Sequence, residues 1–150
     1  MANPYVRNVA TYESTEVTTA NRLKLLIMLY DAAVRFMKQA KEHLLQNDIA
    51  NKGLYISKAL AIFSEFRGTL DFWPNPELAG NLDRLYSFIN ERLVTANIKN
   101  DTAMLDQALR ITNILREGWV ALSQQAPADA PGLDVAARQI NENSCLRISV

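Results

Sequence analysis

The residues able to do chemistry are few in this sequence, and His43 is the first to weigh because it is the only histidine. Helical phosphotransfer domains use an exposed histidine with a nearby lysine and small residues that let the phosphoryl group approach. Lys38 and Lys41 lie close to His43, but Leu44-Leu45-Gln46 follow it and leave no such opening. A plain surface histidine is the preferred reading, with phosphotransfer through His43 kept as the alternative. No Glu-x-x-His pair exists to build a di-iron carboxylate bundle. One histidine and one cysteine make a zinc site improbable. The five glycines form neither a Walker loop nor a dinucleotide fingerprint. A Ser-His-Asp triad would have to use His43, and nothing around it supports one. Cys145 is the single cysteine, which excludes an intramolecular disulfide and fits a spare thiol in a reducing compartment. These observations point to no catalytic site, no metal and no cofactor.

With catalysis set aside, the elements that could position a binding surface come next. At 150 residues there is room for one domain, and a domain of this size buries about 68–70% of its unfolded surface. Apolar residues make up 49% and charged residues 21%, with 16 cationic and 16 anionic side chains. That balance argues against nucleic acid, whose phosphates require excess cations. Residues Met1 to Tyr12 lack the order of a signal peptide. The longest purely apolar run, Leu25 to Tyr30, is far short of the ~18 residues of a membrane span. A cytoplasmic protein without membrane insertion is expected.

Helical periodicity dominates. Residues 1–20, largely polar and rich in Thr, read as an extended or weakly structured arm. Asn21 then serves as a candidate N-cap. Leu23, Tyr30, Met37 and Leu44 recur every seven residues to about Gln46, with Leu26, Ile27, Ala33, Val34 and Ala40 between them. A second helix is predicted from about Ile49 to Phe72, lined by Tyr55, Ala59, Ile62, Phe66 and Leu70. Trp73-Pro74-Asn75-Pro76 ends it and starts a third over about 76–98, lined by Leu78, Leu82, Leu85, Tyr86, Ile89, Leu93 and Ala96. Asp101 caps a fourth over about 102–124, with Leu105, Ala108, Leu109, Thr112, Leu115, Trp119 and Leu122 inward. Residues 126–132, rich in Pro, Ala and Gly, read as a linker, and 133–150 as a flexible tail with a short helix near Leu133 to Ile140. The fold class is therefore all-α: an antiparallel up-down four-helix bundle over 21–125, with an N-terminal arm over 1–20 and a C-terminal linker and tail over 126–150.

The first helix carries more apolar surface than one core face needs. Leu25, Met28, Leu29, Ala32 and Phe36 form a second stripe, and Ile56, Leu60 and Phe63 do the same on the second helix. Burying one such side chain is worth about 1.5–3 kcal/mol. Leaving four or five in water forgoes on the order of 6–15 kcal/mol, as much as the stability of a whole domain. Either the other helices or the arm cover these residues, or a partner's amphipathic segment does.

At these residues the chain resembles the flagellar export chaperones of the FliS family. The resemblance covers roughly residues 3–122. It rests on Asn3-Pro4-Tyr5, on Val17-Thr18-Thr19-Ala20 followed by Leu25 to Asp31 and Arg35-Phe36, and on Ile56-Ser57-Lys58-Ala59. Leu85-Tyr86, Arg92 to Asn97 with Asp101, and Arg116 and Trp119 complete it. The sequence departs from the family pattern at Tyr12, which lies farther from Asn-Pro-Tyr than the family's second tyrosine. It also departs at Asn21-Arg22, Ala32 and Gly53, where Ser-Pro, glycine and asparagine are common. The resemblance implies a cytoplasmic chaperone that binds the C-terminal region of flagellin 1:1 in a hydrophobic groove and keeps it from polymerising before secretion. Export machinery and other flagellar regulators are further implied partners. On that reading Leu25, Met28, Leu29, Ala32 and Phe36 receive partner side chains, and Ile62, Leu82, Tyr86 and Ile89 extend the groove or belong to the core. Lys58, Arg92 and Asn97 either fix the partner's backbone or carboxylates or make ordinary surface and turn bonds, and Tyr5 and Tyr12 belong to the covering arm. The apolar end of the tail, Cys145 to Val150, offers itself as a self-docking segment. A non-catalytic scaffolding bundle, its second stripe buried within the fold or in a homodimer, remains a rival.

Overall fold

The computed structural model describes residues 4–73 and 75–125, with side chains from Asn21 onward. The expected linker and tail over 126–150 lie outside the described residues. Four helices follow in order: α1 (Pro4–Leu45), α2 (Ile49–Thr69), α3 (Pro76–Lys99) and α4 (Thr102–Ser123). Among the described residues there is no strand.

The helix starts are written in capping chemistry. Asp48 accepts from the Asn51 backbone N–H at 3.3 Å, Asn75 from Leu78 at 3.1 Å and Asp101 from Ala103 at 2.9 Å, each satisfying one of the free donors of a first turn. The side-chain amide of Asn51 also bonds Asp48, and with the backbone N–H it holds this carboxyl below its ordinary pKa. Asn47 and Asn100 adopt left-handed backbone at φ 57° and 52°, a conformation asparagine tolerates better than most residues, and there the chain turns out of α1 and α3.

One expected boundary is corrected. The segment read as an extended arm is helical from Pro4 and continuous with α1, so Asn21 lies inside the helix and caps nothing. No Gly or Pro interrupts residues 5–45, and a Thr-rich run costs only tenths of a kcal/mol per residue against better helix formers. Pro4 opens the helix, where its fixed φ and missing N–H do no harm. At 42 residues α1 is nearly twice the length of the 21 to 24 residues of the others.

Each helix packs against two neighbours, in the ring α1–α2–α3–α4. The direction is legible in ion pairs. Lys41 reaches Asp106 at 2.7 Å, and Arg116 binds Asp31. Going back along α1 from Lys41 to Asp31 thus means going forward along α4, so the two are antiparallel. Arg67 with Asp83 and Lys52 with the Asn97 carbonyl, both at 2.9 Å, show the same antiparallel sense for α2 and α3. These ion pairs are a third to a half exposed, so they set register more than stability.

The core is continuous along the bundle axis. Leu26, Tyr30, Ala33, Met37 and Ala40 from α1 meet Ile56, Ala59, Ile62, Phe63 and Phe66 from α2, all buried. Leu82, Tyr86, Ile89, Leu93 and Ala96 of α3 and Leu105, Ala108, Thr112 and Trp119 of α4 close it. At its centre Tyr30, Phe63, Phe66 and Tyr86 form one aromatic cluster with centroids 5.1 to 6.5 Å apart. Near one end, Lys52 of α2 is buried and donates to the Asn97 carbonyl at 2.9 Å and to Asn100 Oδ1 at 2.7 Å. Its ammonium sits at the negative end of the α3 dipole.

Candidate functional site

The second stripe of α1 is divided by its neighbours. Leu25 is 39% exposed and Met28 55%, with Leu29 half-buried beside them. Farther along, Ala32 and Phe36 are closed off at 1% and 5%. Side chains from α2 make the difference. The Tyr55 ring stacks on Phe36 with centroids 6.1 Å apart, and the Lys58 ammonium sits 5.4 Å over the Phe36 ring and 5.6 Å over Tyr55. Arg35 approaches Phe36 at 5.4 Å. Phe36 is thus seated among two cations and a ring, while Leu25 and Met28 present apolar surface to solvent.

The proposed extension of this stripe is core. Ile62, Leu82, Tyr86 and Ile89 are buried, and so are Ile56 and Phe63, expected as surplus on α2. An α2 flanked on both sides, by α1 and by α3, consumes two apolar faces. Tyr86 shares a hydrogen bond with Tyr30 across the core, hydroxyl to hydroxyl at 2.5 Å. Burial pushes the Tyr30 phenol well above its ordinary pKa and the Tyr86 hydroxyl adds to the shift. The Trp119 indole N–H opposes it from nearby, without a hydrogen bond of good geometry.

The three polar candidates separate. Asn97 offers its carbonyl to Lys52, a bond that closes the end of α3. Arg92 lies 4.5 Å over the Phe88 ring and donates to Met104 Sδ at 3.5 Å, joining α3 to α4. Lys58 keeps its ammonium on the rings of Phe36 and Tyr55, part-exposed over the closed part of the stripe. The covering role expected of Tyr5 and Tyr12 falls on side chains outside the described residues.

His43 occupies the last turn of α1, stacked on Tyr55 with centroids 5.4 Å apart and planes 7° from parallel. Its Nδ1 faces Asp48 Oδ2 at 3.1 Å. A carboxylate there repels an incoming phosphoryl group, and Lys41 is engaged by Asp106. Among the described residues no three His, Cys, Asp or Glu side chains gather to hold a metal, and no helix is long and apolar enough to cross a membrane.

Other exposed apolar residues escaped the sequence reading. Phe72 (46%) and Trp73 (76%) stand on the connection between α2 and α3. Val94 and Ile98 are one helical turn apart on α3, and Leu54 and Ile114 are exposed on α2 and α4. Val94 lies one position past the buried Leu93, so its outward place was readable from the α3 stripe.

A sequence model of the family described as flagellar protein FliS matches residues 3–126. The flagellar secretion chaperone FliSB of Pseudomonas aeruginosa is 37% identical over 108 residues, covering 72% of this chain and 86% of that protein. FliS of Bacillus subtilis, also a flagellar secretion chaperone, is 32% identical over 130 residues, 87% of this chain and 93% of its own. That of Salmonella typhimurium is 32% identical over 111 residues, 73% and 82%.

Proposed function

We propose, from the premise that this chain belongs to the FliS family of flagellar secretion chaperones, that it binds the C-terminal region of flagellin along the open stripe of α1. The family works by holding a protein for secretion and not by catalysis. One observation carries the finer reading: Leu25 and Met28 stay in solvent midway along α1, while Leu26, Tyr30, Ala33 and Met37 of the same helix are packed in the core. A flagellin terminal region is amphipathic and associates with other copies when exposed. Covering it in the cytoplasm needs an apolar surface of matching helical spacing. Ordering such a segment spends interaction energy, so the contact must be long, and release at the export machinery stays feasible.

The direct contacts in this reading are Leu25, Met28 and Leu29, and Lys58, over the closed Phe36 farther along, is the cation proposed to meet a carboxylate of the client. Ala32 and Phe36 form the closed continuation of the stripe, while Ile62, Leu82, Tyr86 and Ile89 stiffen the bundle beneath it. Other flagellar regulators with a similar amphipathic segment are candidates for the same surface. Calorimetry and native mass spectrometry of the full chain with a flagellin C-terminal peptide test this, and a 1:1 complex is expected. Absence of binding at ~0.1 mM peptide, a limit near −5.5 kcal/mol, overturns it.

A further inference from the structure

The antiparallel ring brings four features to one end of the bundle: Leu25 and Met28 of α1, the last turn of α2, the first turn of α3 and the last turn of α4. The Arg116–Asp31 pair fixes this for α4, because Ser123 lies two turns beyond Arg116. Phe72 and Trp73 follow α2 and extend the exposed apolar surface at this same end. The chain leaves the described residues here too, at Gln125.

We propose that residues 133–150 of the same molecule dock on this apolar end, over Leu25, Met28 and Phe72. The linker 126–132 can span up to about 25 Å at ~3.5 Å per residue. A helix is about 10–12 Å across, so that length carries the chain over α1 to the stripe. The segment has apolar residues to offer. Leu133 and Ile140 recur at a heptad spacing with Ala136 and Ala137 between, and Leu146, Ile148 and Val150 alternate. Docking of the tail shields the surface that the proposed client uses. It is independent of the client's identity.

Cys145, the only cysteine, makes the proposal testable in the full chain. Met28→Cys and Glu77→Cys each add a second thiol, at a position that is exposed. Glu77, in the first turn of α3 beside the end of α4, lies nearer the root of the tail but on a polar surface. Proximity alone therefore favours Cys145 pairing in Glu77→Cys, and docking favours Met28→Cys. Under mild oxidation of dilute protein, the intramolecular disulfide is expected to form about tenfold faster in Met28→Cys, a ratio equal to about 1.4 kcal/mol. Equal rates, or faster pairing in Glu77→Cys, overturn the proposal. Pairing of Met28→Cys only between molecules overturns it as well, and assigns the surface to a second copy.

Discussion

Truncating Leu25 and Met28 together to alanine is expected to weaken client binding by roughly 10- to 150-fold while the bundle still folds. The magnitude follows from exposure. A partner can bury only what the fold leaves open, 39% of Leu25 and 55% of Met28. At about 1.5–3 kcal/mol for complete burial of each side chain, those fractions together are worth about 1.5–3 kcal/mol of binding. The parts already buried cost folding a similar amount, well inside the 5–15 kcal/mol typical of a domain. Titration calorimetry with a flagellin C-terminal peptide measures the first quantity, and urea unfolding followed by helical circular dichroism measures the second. Ile114→Ala is the control, because that residue is 57% exposed but lies on α4. A Kd for the double variant within twofold of the parent, or an equal loss in Ile114→Ala, would refute the assignment of this stripe.

Lys52→Met is expected to lose about 1.5–3 kcal/mol of stability, since a charge-assisted bond to the Asn97 carbonyl and another to Asn100 disappear. At about 2–4 °C per kcal/mol this is a drop of roughly 3–12 °C in Tm, read by thermal melting. Tyr30→Phe removes the buried hydroxyl pair and is expected to cost about 1 kcal/mol at neutral pH. The raised Tyr30 pKa means that the fold favours the protonated phenol. That contribution is fully present below the unfolded value of about 10 and is lost as pH climbs through the folded value. Alkaline denaturation should accordingly be shallower in Tyr30→Phe. Thr69 lies three helical turns past Lys58 on the same edge of α2, with its hydroxyl bonded to the Glu65 carbonyl. Thr69→Phe should cover the open stripe as Tyr55 covers Phe36 and lower client affinity several-fold; unchanged affinity in the binding assay would show that this edge does not border the site.

Helix number, order and the starts of α2, α3 and α4 were legible because breakers and caps stand at the joints. Asn75-Pro76 and Asp101 mark two starts within a residue. The end of α2 falls three residues before the expected Phe72, at Thr69, because the chain is already extended at Leu70 on its approach to Pro74. The start of α1 was not legible: a polar run without Gly or Pro carries no stop signal, so nothing local separates arm from helix. The core roster was legible for α3, whose single stripe of Leu82, Tyr86, Ile89 and Leu93 is buried as expected. For α1 and α2 periodicity sorted residues into faces but could not say which face has a neighbour. Ile56 and Phe63 looked surplus because one lining face was assigned to α2, whereas its two neighbours, α1 and α3, take up two.

The same reasoning explains why a stripe continuous in sequence is discontinuous in function. Leu25, Met28, Leu29, Ala32 and Phe36 share one side of α1, and their chemistry differs little. What differs is the edge of α2 that faces them. Where it offers Tyr55 and Lys58, an aromatic ring and a long alkyl stem cover Phe36 and bring cationic charge to its surface. Nearer the end of the helix the same edge offers Thr69, whose short side chain is bonded back to its own backbone and is too small to cover a leucine. The exposed surface is therefore a consequence of which side chains α2 places along that edge, and a binding site can be opened or closed there without altering α1.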